Sequence, residues 1–285
     1  MEADPLAPVQ LAVKLALYIS ALLAAGLALH ASLGIVDHAG RGRALRSAAL
    51  LGALALVFAA LRLAVANIQL GGALNSAFDA ATLAWTWPNL SASSIAFALG
   101  GSLLLVAWPF RATWLAAFAA ASLAAGFGLT GHTQGLDAPG LAPWAVGLHV
   151  LIAAFWTAAP VTLWPRDALS NETIAGRAER FSRLAVIVVP LLFGIGVWLT
   201  ILLSGGFAAV VSNLYGQLLL AKLAVATAAL ALGAYNKQIV TRKLRETPEI
   251  GRRALIATLG LDLLLFISAL ALIGVATTLT GPPAN

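Results

Sequence analysis

Long apolar runs separated by short polar stretches make up most of this 285-residue sequence. Eight of the runs are long enough to cross a bilayer core of ~30 Å as a helix, which takes about 20 residues. Backbone polar groups inside lipid must bond within their own segment, which favours helices. The pattern therefore predicts an all-α polytopic membrane protein, a single domain over residues 1–285 with helices at roughly 9–35, 45–67, 88–107, 112–130, 142–164, 181–205, 214–236 and 253–280.

The composition excludes most soluble classes of protein. Hydrophobic residues make up 61% of the chain and charged residues only 10%, against about 25% charged in soluble domains. So few charges cannot cover the surface of a soluble protein of this size. The chain has no Cys, and its one Met is Met1, which excludes disulfides, thiolate metal sites and cysteine nucleophiles.

The basic residues indicate how the predicted helices cross the membrane, because cytoplasmic loops are enriched in Lys and Arg. The odd-numbered predicted loops hold 14 of the 17 basic residues, namely Arg41, Arg43, Arg46, Arg111, Arg166, Arg177, Arg180, Arg183, Lys237, Arg242, Lys243, Arg245, Arg252 and Arg253. These loops are predicted to be cytoplasmic, and both termini to lie on the outer, periplasmic side. The net charge of +6 follows from this topology, so the lipid bilayer is the predicted partner and nucleic acid is not.

Four charged side chains fall inside the predicted helices, where a charge costs on the order of 2.5–3.5 kcal/mol. Lys14 and Arg62 lie within about two turns of the outer boundary and are interpreted as reaching the lipid headgroups. Lys222 and Asp262 lie at similar predicted depths on consecutive helices, so they are predicted to form an intramembrane charge pair. Such a pair either locks the two helices together or serves as a proton or cation relay.

Two histidines on the predicted outer side give the candidate metal site. His132 follows the fourth predicted helix, and His149 lies about two turns into the fifth. The loop between these helices is short, so the imidazoles are expected to converge, and neutral imidazole is the commonest metal ligand. Asp137 and Asp79 are candidate further ligands on the same side. Imidazole with carboxylate and water suits Cu(II) or Zn(II), whereas Cu(I) prefers sulfur.

The other two histidines, His30 and His38, lie towards the predicted inner side. Each is either a metal ligand or a hydrogen-bonded structural residue. Helical bundles also hold haem between histidines on facing helices. The outer pair, or His30 with another histidine, therefore leaves open a redox protein that uses haem b or a quinone.

Three stretches of the sequence resemble one known family. The first is Gly131-His132, followed by His149 and Trp156 in the next helix. The second is Arg180-Phe-Ser-Arg-Leu-Ala185, and the third is Leu214-Tyr-Gly-Gln-Leu-Leu-Leu-Ala-Lys222-Leu, which runs on to Asn236. In order and spacing the chain resembles the copper resistance protein D family (CopD/PcoD) over about residues 90–280.

The resemblance implies a protein of the bacterial inner membrane that handles copper, often viewed as uptake from the periplasm with the help of a carrier resembling CopC. By position, His132 and His149 would be the metal residues. Trp156, Tyr215 and Asn236 would be motif residues without an assigned role. An enzyme activity is not required.

Three alternatives to copper transport stay open at this stage. They are the haem or quinone redox protein, a non-conducting scaffold that delivers copper, and a proton-coupled transporter that uses Lys222 and Asp262. The absence of Cys and of any Met beyond Met1 excludes a ladder of sulfur ligands across the membrane. The predicted copper binding is therefore at the outer face.

Overall fold

Helices make up nearly all of the chain in a computed structural model that describes residues 6–131, 134 and 138–280. No strand occurs among these residues, which confirms the predicted all-α class. The long helices are α1 (Ala7–Ser32), α2 (His38–Gly71), α3 (Ala80–Phe110), α4 (Thr113–Gly128), α5 (Ala142–Thr157), α6 (Asn171–Leu203), α7 (Leu214–Tyr235) and α8 (Pro248–Val275).

Several short helical pieces connect or extend the long helices. A 3₁₀ segment, Leu74–Phe78, lies between α2 and α3, and a turn, Ala159–Thr162, follows α5. A short helix, Phe207–Ser212, precedes α7. The remaining pieces are the π-helical turns Asn236–Val240 and Ala276–Thr280 and the helix Thr241–Glu246. Because of these pieces, the segment from 236 to 246 is helix, where a loop was predicted.

Seven helical segments of the described chain are long and apolar enough to cross a membrane. They are α1, α2, α3, α5 with its following turn, α6, α7 continued to Glu246, and α8 continued to Thr278. The fourth predicted span corresponds to α4, which has 16 residues. At 1.5 Å per residue such a helix covers only about 24 Å. The structure thus supports a multi-pass membrane protein, while the predicted eight spans and the orientation of the termini stay predictions.

Polar caps explain why three helices begin earlier than the apolar pattern predicted. Asp37, Asp79 and Ser170 each accept a hydrogen bond from the backbone N–H three residues further on, at the starts of α2, α3 and α6. Such caps satisfy backbone donors that a helix start leaves free. The helices therefore start seven to ten residues before the predicted positions 45, 88 and 181. An apolar run marks only the part of a helix that lies in lipid. The helix itself begins earlier, at the residue that caps it.

Helix α1 lies at the centre of the first five helices and contacts α2, α4 and α5. Its buried face is made largely of small side chains, among them Ala21, Ala24, Ala25 and Ala28. At Gly26 an added Cβ would lie 2.1 Å from the carbonyl oxygen of Ala154, so only glycine lets α5 come this close. Close backbone approach through small residues is typical of packing between membrane helices.

The last three long helices pack beside this group, with α7 and α8 antiparallel and α6 against α5. The register of α7 and α8 is set at Gly251, where an added Cβ would lie 2.5 Å from the backbone nitrogen of Leu244. On the predicted inner side an ion pair between Asp37 and Arg177 joins α2 to α6. The two groups of helices leave a space between them towards the predicted outer side.

Candidate functional site

A cavity of about 490 Å³ lies between α1, α2 and α5 on one side and α6, α7 and α8 on the other. Its lining comes mainly from the first halves of α1 and α7 and from the last halves of α2, α6 and α8. These halves share the predicted outer side of the bundle. Most of the lining is apolar, with a few polar side chains, which is the usual make-up of a small-molecule site.

Aromatic rings form the deeper part of the cavity. Trp156 is 5% exposed and lies two helical turns beyond His149 on α5. Its ring centroid is 6.4 Å from that of Phe193 on α6 and 6.0 Å from that of Phe266 on α8. The Trp of the predicted motif therefore packs against both later helices, where it connects the two halves of the protein.

His149 is the one histidine among the described residues that lines the cavity. Its Nδ1 lies 3.2 Å from the carbonyl oxygen of Leu192 on α6. A carbonyl oxygen only accepts, so Nδ1 carries the proton and donates, and Nε2 keeps its lone pair. A backbone partner of this kind is the usual way in which a metal-binding imidazole is oriented and its tautomer fixed.

Gly196, one turn along α6, makes room for the ring. An added Cβ at this position would lie 3.1 Å from Cε1 of His149, which is tighter than ordinary van der Waals contact. The imidazole therefore lies against the bare backbone of α6. Sequence reasoning singled out His149 but missed Gly196 and Leu192, because nothing in the spacing of the residues shows which turn of α6 faces the histidine.

Three basic side chains also line the cavity: Lys14 on α1, Arg62 on α2 and Lys222 on α7. Lys14 Nζ donates to the carbonyl oxygen of Thr277 at 3.2 Å and to Thr278 Oγ1 at 3.1 Å. Lys14 and Arg62 were interpreted as reaching headgroups, and the structure places both at the cavity. Their predicted depth, within about two turns of the outer boundary, fits a side chain that reaches the headgroups and equally one that lines the cavity.

Arg62 and Lys222 differ in how they are held. Arg62 donates to Thr130 Oγ1 at 2.6 Å and to Ser93 Oγ at 3.4 Å. Lys222 has neither a hydrogen bond nor an ion pair within the described part of the chain. It shares the cavity with His149. None of the described residues in the lining is Asp or Glu, so the cavity has three basic side chains and no described carboxylate.

Comparison with known families gives a match for the part of the chain that forms α6, α7 and α8. Residues 175–276 match the family model of CopD, copper resistance protein D. The predicted resemblance is confirmed over this range, which runs from the first turns of α6 to the end of α8. No curated protein and no solved structure matches the chain.

The CopD segment, residues 175–276, supplies one wall of the cavity. Gly196, Tyr215 and Lys222 belong to it, and so does Leu192, which holds His149. Two of the three predicted motif stretches fall inside it, whereas the stretch with His132, His149 and Trp156 precedes it. The match thus implies a membrane protein of copper resistance or copper handling.

The charge pair predicted between Lys222 and Asp262 does not form. Counting from the contact of Leu244 with Gly251, Lys222 is 22 residues back along α7 and Asp262 only 11 residues forward along α8. In antiparallel helices this difference amounts to about 16 Å along the axis. The prediction failed because α8 begins at Pro248 and α7 continues to Glu246, so both helices are longer at the inner end than predicted.

Asp262 is buried and Asn236 half-buried in the CopD segment. Asp262 is 3% exposed, and its Oδ1 has no hydrogen-bond partner among the described residues. The side-chain Oδ1 of Asn236 also has no described partner, although its backbone oxygen accepts from Thr241 at 3.0 Å. Tyr215, the other motif residue without an assigned role, is 2% exposed and lines the cavity near its predicted outer end.

The candidate ligand Asp79 serves as the N-cap of α3. It is exposed, and it accepts from the backbone N–H of Thr82 at 2.8 Å and from the Thr82 hydroxyl at 2.7 Å. These hydrogen bonds lower the pKa of the Asp79 carboxyl, since they favour its charged form. Asp79 is not among the described residues that line the cavity.

His30 is fully buried on α1, with both ring nitrogens in hydrogen bonds. Nε2 donates to the carbonyl oxygen of Phe155 at 2.8 Å, and Nδ1 lies 2.7 Å from Thr162 Oγ1. A metal or haem iron on His30 would have to displace one of these partners. His38 lies exposed at the start of α2.

Two candidate ligands, His132 and Asp137, lie outside the described residues. Among the residues that the structure describes, no group of three or more His, Asp or Glu side chains could hold a metal ion. His149 is therefore the described residue best suited to contact a metal, through Nε2, and it would need partners from elsewhere in the chain or from the ligand.

Proposed function

We propose that this protein handles copper at the bacterial inner membrane and that copper contacts it first at His149. The observation that carries the proposal is the hydrogen bond from His149 Nδ1 to Leu192 in the CopD segment. It holds the ring against the segment whose family implies copper handling and leaves Nε2 free to coordinate a metal.

Ligand chemistry favours Cu(II) at this place. The chain offers imidazole and oxygen ligands and, after Met1, no sulfur at all. Imidazole with oxygen ligands suits Cu(II), whereas Cu(I) prefers thiolate and thioether. We expect His132 to supply the second imidazole and Asp137 or water to complete the site, with copper presented from the periplasm by a carrier resembling CopC.

The copper content of the purified protein tests this proposal. The full chain is loaded with Cu(II) in detergent, passed over a desalting column and analysed for copper, zinc and iron by mass spectrometry. We expect about one copper per chain, lost in His149→Ala and in His132→Ala. The matched control is His38→Ala, which removes an exposed imidazole from the predicted inner side and should keep the copper.

Two results would contradict the proposal. Copper retained at the parent level in His149→Ala would show that this residue does not hold the metal. Iron together with a Soret absorption band would favour the haem alternative. Copper accumulation in cells then separates transport from delivery: a deletion strain that accumulates copper normally but has poor copper-enzyme activity indicates a non-conducting scaffold.

A further inference from the structure

The cavity is lined by three basic side chains, and no described acidic side chain in the lining faces them. Lys14, Arg62 and Lys222 line it from three different helices, and the lining has no described Asp or Glu. Charges in a space walled by apolar side chains and lipid are poorly screened, so like charges there repel one another strongly. An arrangement of this kind is stabilised when an anion enters.

The three basic side chains also keep hydrogen-bond donors that no described residue accepts. Lys222 has no hydrogen bond within the described chain. Lys14 uses two of its three donors, and both go to threonine oxygens. Within the described chain, Arg62 donates to the neutral hydroxyls of Thr130 and Ser93. These partners orient the side chains without cancelling their charge.

The remaining lining defines what else such an anion must be. Trp156, Phe193 and Phe266 form an apolar, aromatic part next to the basic one. A small inorganic anion would leave this part in contact with water, at a cost in free energy. The volume of about 490 Å³ lies in the range of sites for small organic molecules.

We infer that the cavity binds an organic anion whose acidic head lies among Lys14, Arg62 and Lys222 and whose apolar body lies against Trp156, Phe193 and Phe266. His149 lines the same cavity, but binding of the anion does not depend on coordination of copper by that residue. A free organic acid and an anionic phospholipid share the required chemistry, so the test has an arm for each.

The first arm uses a soluble acid and its uncharged analogue. Phenylbutyrate and phenylbutanol have the same apolar body and differ in the charge of the head. Binding to the full chain, stripped of lipid in a non-ionic detergent, is measured by calorimetry. We expect phenylbutyrate to bind at least tenfold more tightly than phenylbutanol. Lys222→Gln should weaken phenylbutyrate binding about tenfold, and Arg62→Gln should do the same.

Two control variants make this arm specific. Lys237→Gln removes an exposed basic charge outside the cavity and should change the affinity less than twofold. Asp137→Asn tests whether a residue outside the described part of the chain already neutralises the cations. Phenylbutyrate binding that appears only in Asp137→Asn would overturn the inference, because the cations would then serve an internal carboxylate.

The second arm uses phospholipids and native mass spectrometry. Phosphatidylglycerol or phosphatidylcholine is added to the stripped protein. Retention of phosphatidylglycerol alone, lost in Lys222→Gln and kept in Lys237→Gln, supports the inference with a lipid as the anion. Binding of phenylbutyrate without phosphatidylglycerol supports it with a free acid. Equal binding of charged and uncharged probes, or binding of neither anion, would overturn it.

Discussion

His149 Nδ1 on α5 lies 3.2 Å from the carbonyl oxygen of Leu192 on α6. This contact joins a histidine that precedes the CopD segment to the backbone of that segment. It also fixes which ring nitrogen keeps a lone pair for a metal, because the carbonyl accepts the proton of Nδ1. The copper chemistry proposed for the protein depends on this one orientation.

Gly196→Ala should disturb that orientation. Its new Cβ would lie 3.1 Å from Cε1 of His149, so the ring or the helix has to shift by a few tenths of an ångström. We expect Cu(II) affinity to fall about tenfold, equivalent to ~1.4 kcal/mol. A Cu(II) titration followed by visible absorption checks the affinity.

Gly194→Ala is the matched control, since it lies on the same helix and its new Cβ would meet no atom within 4 Å. Replacing Gly by Ala inside a helix is favourable by roughly 0.5–1 kcal/mol. This variant should keep the copper affinity of the parent and unfold at a slightly higher temperature. Equal losses of affinity in both variants would show that helix α6, rather than the contact with His149, determines the result.

Lys222→Gln should strengthen copper binding. Lys222 and His149 line the same cavity, so the ammonium of Lys222 should repel a cation that is bound at the imidazole. Removing it should tighten Cu(II) binding about tenfold, or ~1.4 kcal/mol, in the same titration. An unchanged affinity, with Lys237→Gln as the exposed control, would mean that the charge of Lys222 does not reach the metal.

Lys222 and Asp262 should be energetically independent. The structure separates them by about 16 Å along the helix axes, and substitutions more than ~7–10 Å apart usually add within ~0.5 kcal/mol. A double-mutant cycle with Lys222→Met and Asp262→Asn, followed by unfolding in detergent, measures the coupling. A coupling energy well above ~1 kcal/mol would restore the predicted charge pair.

The ion pair between Asp37 and Arg177, on the predicted inner side, should make the free energy of unfolding depend on pH. Burial raises the pKa of the Asp37 carboxyl, but the hydrogen bond and charge of Arg177 outweigh it, so the pKa is lowered overall. A lowered pKa in the folded state stabilises the protein above the ordinary pKa of Asp, and the effect is lost as the pH falls through the folded value.

The parent should therefore unfold at a higher temperature than Asp37→Asn at neutral pH, and the difference should close below about pH 4. The control is Asp167→Asn. Asp167 is fully exposed, and its distance of 3.6 Å to Arg252 is too long for a hydrogen bond, so this ion pair is weak. That substitution should change the unfolding temperature little at any pH. A constant difference between the parent and Asp37→Asn down to pH 3 would contradict the ion pair.

Much of the fold follows from the sequence because lipid requires long apolar helices. The ends of the helices do not follow, since hydropathy carries no information beyond the bilayer. The stretch from Asn236 to Arg253 was predicted as a loop on account of its many charges. Lys and Arg are good helix formers in water, so α7 continues through it to Glu246.

The site was predictable only in part. His149 was singled out by its position on the predicted outer side, and Lys222 belongs to the third motif stretch. Both residues line the cavity. The relation of Lys222 to Asp262 was not predictable, because the contact of Gly251 with the backbone of Leu244 sets the register of the two helices. The role of Asp79 as a helix cap depends on where α3 begins, which the apolar pattern misplaced by eight residues.

Pulsed electron paramagnetic resonance of the Cu(II)-loaded protein tests the central claim most directly. It detects the remote nitrogen of an imidazole whose other nitrogen binds copper. We predict a modulation from Nδ1 of His149 that weakens by one imidazole in His149→Ala and is unchanged in His38→Ala. Identical modulations in the parent and in His149→Ala would contradict copper coordination at this residue.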